Sequence, residues 1–186
     1  MRISLLLLLV LSGIRSEAQD RRLLRMQEST VVFVSEAPLE RISAINRRSS
    51  GIIDMAARTF AVQVPVADFE GFNSPLQREH FKENYMDERA WPNALFQGRI
   101  IEDVDLSAPG VHEVRAKGRL NIRGVVVERI VPCRLRVTVA GVRVECDMEV
   151  PLDDHGIRVP RVVRQKIAPV VHIRVDALFT EASPKP

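Results

Sequence analysis

Aromatic residues make up only 5% of this 186-residue chain, cysteine occurs twice, and no hydrophobic run is long enough to cross a bilayer. Each scarcity excludes something. The apolar stretch from Ile3 to Ile14 is 12 residues, whereas a spanning helix takes about 20. Lysine supplies 4 of the 27 basic residues, and basic and acidic side chains are interleaved along the strands instead of gathered in a patch. A net charge of +3 in that arrangement gives no ground for nucleic-acid binding. G-x-S-x-G, H-E-x-x-H and Gly-rich phosphate loops are missing, and His80, His112, His155 and His172 show no short-range ligand spacing. The expectation is a protein that catalyses nothing and carries neither metal nor cofactor.

The first residues carry an address. Arg2 precedes an apolar run from Leu5 to Leu11, followed by Ser12, Gly13 and the triplet Ser16-Glu17-Ala18. A positive flank, a short apolar core and small residues at the positions a signal peptidase reads predict a signal peptide over residues 1–18, cleaved after Ala18. The mature chain is then expected to be periplasmic or secreted. Residues 19–28 are polar and read as a disordered N-terminal segment, and Ser183 to Pro186 as a loose tail. This leaves one domain over 29–182, a size that buries about two-thirds of its unfolded surface.

Within that domain the hydrophobic period is two. Cys133, Leu135, Val137 and Val139, then Val142, Val144, Cys146, Met148 and Val150, alternate with Arg134, Arg136, Thr138, Arg143, Glu145, Asp147 and Glu149. The pattern predicts a hairpin turning at Ala140-Gly141, with one apolar and one charged face. Similar alternation marks Thr30–Ser35, Leu39–Arg47, Thr59–Val64, Asn93–Ile101, Val111–Ile122 and Ile167–Phe179, and Val125–Pro132 runs into the hairpin, giving about eight strands. Ser74, Pro75 and Gln77 form a helix-start signature and predict a short helix to Met86, with Phe81 and Tyr85 one turn apart. One such helix cannot cover the apolar face of eight strands, but closure can. The predicted fold is therefore all-β: an eight-stranded antiparallel lipocalin-like barrel with one short α-helix between strands.

Four ordered segments carry a resemblance: Gln77 to Ile100 (QREHFKENYMDERAWPNALFQGRI), Ser50 to Asp54 with Phe60, Val62 and Val64, Gly118 to Gly124 (GRLNIRG), and Leu152 to Pro160 (LDDHGIRVP). Together they resemble the YceI-like family of exported lipocalin-like barrels associated with polyisoprenoid lipids. The resemblance implies a barrel holding an isoprenoid chain in an apolar tunnel, with the headgroup preference left open because Arg123 stands where members of the family often have His. By alternation, the tunnel lining is assigned to Phe60, Val62, Val64, Phe96, Leu120, Ile122, Leu135, Val137, Val144, Met148, Ile173 and Val175, with Phe81 on the helix as lid. The partner is expected to be a polyisoprenoid or other long-chain lipid, with no nucleic acid and no membrane span; a homodimer is left open. The competing reading is an exported stress or interaction protein whose barrel is filled by its own side chains.

The polar candidates are few. Asp153, Asp154 and His155 are read as a solvated turn, and Arg123 and Arg78 as surface cations with a secondary reading as headgroup contacts. With the turn at Ala140-Gly141, Cys133 would oppose Met148 and Cys146 would oppose Leu135, placing the two sulfurs diagonally. Free buried thiols are favoured on that register, with a bulge-assisted disulfide as the alternative. The helix is placed at one mouth of the barrel, and the turns at Arg123-Gly124 and Ala140-Gly141 at the other.

Overall fold

A computed structural model describes residues 23–106 and 108–181; the predicted signal peptide lies outside them. The strands are β1 (Leu23–Glu36), β2 (Arg41–Asn46), β3 (Ser50–Asp54), β4 (Thr59–Pro65), β5 (Asn93–Ile100), β6 (Gly110–Ile122), β7 (Val125–Thr138), β8 (Gly141–Pro151) and β9 (Val170–Glu181). All pairings are antiparallel, and β1 closes the sheet by pairing with β9. Burial follows the predicted alternation most strictly in β6 and β7, whose inward Val114, Ala116, Leu120, Val131, Cys133, Leu135 and Val137 are buried.

Nine strands occupy eight positions around the barrel. β2 pairs with the second half of β1 (Val31 opposite Asn46) and β3 with its first residues (Arg25 opposite Ile52), both in one continuous register. They are two pieces of one barrel strand, parted at 47–49. The break has a local cause. Asn46 is fully buried, its amide donates to Pro65 O at 2.7 Å, and its Oδ1 accepts from Arg48 N and Ser49 Oγ. An Asn side chain that supplies a turn of its own competes with the ladder. Beyond the break only β3 pairs with β4; β2 reaches the next segment through a single bridge, Ile45 to Glu70.

β1 begins at Leu23, so residues 23–28, expected to be disordered, are strand. Leu24 is fully buried in the core and Met26 packs against it; two apolar residues at strand spacing outweigh the polar composition around them. The β7–β8 turn also differs from expectation. Thr138 opposes Gly141, making the loop Val139-Ala140 and putting Cys133 directly opposite Cys146. Gly141 is not a turn residue but a strand residue pressed against its neighbour: a Cβ there would lie 2.2 Å from Phe179 O. Val139, assigned to the apolar face, stands exposed at the tip.

Outward charges form cross-strand pairs, including Arg134 with Glu113, Arg143 with Asp176 and Arg174 with Asp147. Exposed pairs of this kind are screened by solvent; they account for where many arginines sit without stabilising the fold much.

Candidate functional site

The connections alternate between the two ends of the barrel. At one end lie the β3–β4 and β5–β6 connections and the Val139-Ala140 turn; at the other lie the β1–β2 turn, the helix between β4 and β5, the β6–β7 turn and the 152–169 connection. The Arg123-Gly124 turn is thus on the helix side, where Trp91 lies against Gly124, and not opposite the helix as expected. Two turns joined by one barrel-crossing strand cannot share an end.

The first end is a floor. Met55, Leu106, Val137, Val142 and Phe179 are buried in one cluster with the linked Cys133 and Cys146. The disulfide replaces the favoured free thiols, because the register shift makes the two cysteines direct neighbours with Cα atoms 4.3 Å apart. That separation belongs to a narrow, non-hydrogen-bonded antiparallel pair.

Above the floor is a cavity of about 190 Å³ with no polar side chain in its wall. The structure brings Phe60, Val62, Val64, Phe81, Phe96, Leu120, Ile122, Leu135, Val144, Met148, Ile173 and Val175 together around it. Val137, placed in the lining by alternation, is the one that stands apart; it faces inward but belongs to the packed floor. Alternation gives the side of a strand, not the height at which a barrel is filled. Gly118 opens less room than its size suggests, since the Phe96 ring covers it, 2.9 Å from where a Cβ would be. Sequence reading missed Met26, Phe33, Phe69, Met86 and Ile157 in the wall. Phe33 carries the period-two signal of β1, Met26 stands out of phase with it because the strand bulges between Met26 and Glu28, and Phe69 lies in the connection after β4, where no period exists to point at it.

The helix closes the upper end. Ser74 caps it by accepting from Gln77 N at 3.2 Å, with Pro75 at its first position. Gln77 reaches back to Asn73 N at 3.0 Å, one residue earlier than a capping box requires. After His80 the helix widens into a π turn, Phe81–Tyr85, closed by Met86 N on Phe81 O at 2.9 Å. Wide turns of this kind occur often at functional sites. Phe81 points down between Phe33, Phe69 and Phe72, with ring centroids 5.2, 5.6 and 5.1 Å away. Four of the chain's seven phenylalanines thus gather at the seam where β2 leaves the sheet.

Outside this cluster is a second hollow of about 330 Å³ between the helix and the 152–167 segment. It shares Phe33, Phe81, Met86, Leu152, Ile157 and Val171 with the inner cavity, so these side chains form the partition between a vestibule and a chamber. Its polar groups include His80, Lys166 and Tyr85, and burial pushes the Tyr85 phenol up from its ordinary value. Sequence reading gave no role to Lys166.

The predicted polar candidates lie elsewhere. Arg78 donates to Ala67 O at 3.1 Å within the β4–β5 connection, and Arg123 to Gly156 O at 3.4 Å ties the β6–β7 turn to the 152–169 connection; neither lines chamber or vestibule. Asp153 and Asp154 are exposed as expected, but His155 is not solvated. It is fully buried, with Nδ1 3.1 Å from Val125 O. A carbonyl only accepts, so the proton sits on Nδ1, and burial holds the imidazole below the ordinary histidine range. Asp154 pairs outward with Arg129. Among the described residues no group of His, Cys, Asp and Glu is arranged to hold a metal ion, and no helix is long and apolar enough to cross a membrane.

The model of the YceI-like domain family matches residues 24–179. Among solved structures, a polyisoprenoid binding domain from Saccharophagus degradans implicated in plant cell wall breakdown superposes with a TM-score of 0.73 at 12% identity, over 87% of this chain and 99% of that one. BcnA of Burkholderia cenocepacia gives 0.69 at 16% identity, over 81% and 95%. A Campylobacter jejuni YCEI protein gives 0.56 at 10% identity, over 70% and 78%. No match was found among curated protein sequences.

Proposed function

Since the chain belongs to the YceI-like family, we propose that it is an exported carrier or sequestering protein that holds one long apolar chain of the polyisoprenoid type in its barrel. The observation that carries this reading is the apolar chamber and its vestibule. Walls that stand apart around about 190 Å³ forgo packing on the order of 4–5 kcal/mol by the cavity relation, a large share of a domain's stability. A lipid chain laid against those walls restores the contacts and gains about 0.8 kcal/mol per CH₂ removed from water. The name of the Saccharophagus neighbour, a polyisoprenoid binding domain, supports the choice of lipid. The proposed role is binding, for which a wall of apolar side chains and the linked cysteines suffices.

Export is supported by the N-terminal pattern Arg2, Leu5–Leu11 and Ser16-Glu17-Ala18 and by the Cys133–Cys146 disulfide, a bond that persists in oxidising compartments. Organic-solvent extraction of protein purified from the secreted or periplasmic fraction, followed by mass spectrometry, tests both halves. A stoichiometric polyprenyl species on a chain beginning at Gln19 is expected. Repeated recovery of no lipid from folded protein would return the barrel to a filled, non-carrying role, and a chain still beginning at Met1 would overturn export.

A further inference from the structure

The residues between Gly156 and Pro169 include Arg158, Arg161, Arg164 and Lys166 and no Asp or Glu. All four cations are exposed, and none forms an ion pair among the described residues. This separates them from the cations of the barrel wall, several of which are matched by a carboxylate across the strand. The segment is also built. Val163 N bonds Pro160 O, Lys166 N and Ile167 N both bond Val163 O, and Ala168 N bonds Ser35 Oγ. Its position is fixed at the rim of the vestibule by Leu39 N on Gln165 O at 2.8 Å.

Large apolar side chains stand out at the same rim. Val162 is 91% exposed in the middle of the basic run, Leu39 is 67% exposed on the adjoining β1–β2 turn, and Leu76 is 59% exposed on the helix across the vestibule. Val163, next to Val162, turns inward and lines the vestibule, so the segment already has an inward apolar residue and presents a second one to the outside. The carboxylate nearest the groove, Glu40, is occupied by the amides of Asn73 and Gln77.

We propose that this rim, the basic segment Arg158–Lys166 with the apolar tips Val162, Leu39 and Leu76, docks on an anionic lipid bilayer surface. Cations ringed around protruding apolar side chains are what a headgroup layer of negative charge over hydrocarbon accepts: the cations meet phosphates and the tips enter the interface. Docking in this orientation sets the vestibule against the membrane, the place from which a long lipid enters or leaves. The surface stands on its own charge and shape; only its use in loading cargo rests on the lipid-carrying reading.

Flotation with vesicles tests it on the full mature chain. Phosphatidylcholine vesicles containing phosphatidylglycerol should carry the protein up the gradient at low salt, and phosphatidylcholine alone should not. Each cation near the surface is worth about fivefold in partitioning. Arg161→Glu with Arg164→Glu should therefore lower binding at least about twentyfold, and Val162→Asp should weaken it with an unchanged melting curve. Arg119→Glu on the barrel wall should leave it within about twofold. Equal recovery on both vesicle types, full binding by the double variant, or no binding by folded wild type would each overturn the docking surface. The lipid extract of the same wild-type preparation is read separately, so loss of docking with lipid still present fails this proposal and spares the carrier reading.

Discussion

At the floor of the barrel, Val137, Val142 and Phe179 interlock around a disulfide that ties β7 to β8, and β7, β8 and β9 are laddered there from Cys133–Cys146 to Thr138–Gly141 and through Val142–Phe179. At the helix end, Phe33, Phe69, Phe72 and Phe81 meet across a seam where β2 has lost β4 and only the Ile45–Glu70 bridge remains. The same sheet supports both, so the difference lies in what spans each place: backbone hydrogen bonds and a covalent link between β7 and β8, side-chain contacts between β2 and the segment after β4. Side-chain contacts can be broken one at a time, whereas a ladder opens only cooperatively. An entrance belongs where opening disturbs least, and the vestibule lies on that side.

The sharpest way to break this contrast is to charge the floor. Val137→Asp puts a carboxylate into a packed apolar cluster, at a cost of about 4 kcal/mol or more. The variant should fail to fold or lose most of its urea stability. Arg136→Asp, one residue along and outward, should melt within a few degrees of wild type; if the two behave alike, floor and wall are not distinct. Removing the covalent link comes next. Cys133→Ala with Cys146→Ala frees a loop with a sequence separation of 13 residues, for which loop entropy predicts at most about 3 kcal/mol. Because the hairpin already pairs these strands, 1–2 kcal/mol is the expected loss, with lipid exchange unchanged. Melting with and without reductant should report the same difference in the wild type and none in the variant.

At the helix end the effect should shift from stability to rate. Phe81→Ala removes the ring at the centre of the partition, but Phe81 is only half-buried, so its loss should cost about 1–2 kcal/mol, below the 3–5 typical of a core phenylalanine. Exchange of a fluorescent polyprenyl analogue should quicken several-fold. If stability falls as far as at the floor and exchange does not change, the helix is packing alone and the entrance lies elsewhere.

How much of this could be read from the sequence follows the same division. The walls could, because a residue facing the core every second position leaves its mark whatever surrounds it: Leu120, Ile122, Leu135 and Val144 lie around the chamber that alternation predicted. The disulfide could not, because Gly141 reads as a turn glycine when it is in fact pressed against Phe179 O, and a two-residue error in register turns neighbours into diagonals. The break between β2 and β3 was hidden in one buried Asn side chain. His155 was read with its acidic neighbours, yet it alone of the three faces inward, since Gly156 in the left-handed region ends the turn there and swings the chain over Val125. The cysteine register and the burial of His155 depend on contacts between residues distant in sequence, for which a local pattern holds no trace.

Closure of the barrel by β1 against β9 has a consequence in time. The pairs that seal the cylinder, from Leu24 with Glu181 to Val34 with His172, join almost the two ends of the described chain, and contacts so remote are the slowest to form. Until the last strand is available, β1 has its hairpin with β2 on one edge and nothing on the other. A ribosome or translocon that delivers the chain N-terminus first therefore releases an open sheet whose final edge must wait for residues 170–181. That edge, carrying Val31 and Phe33, is what a chaperone would have to shield.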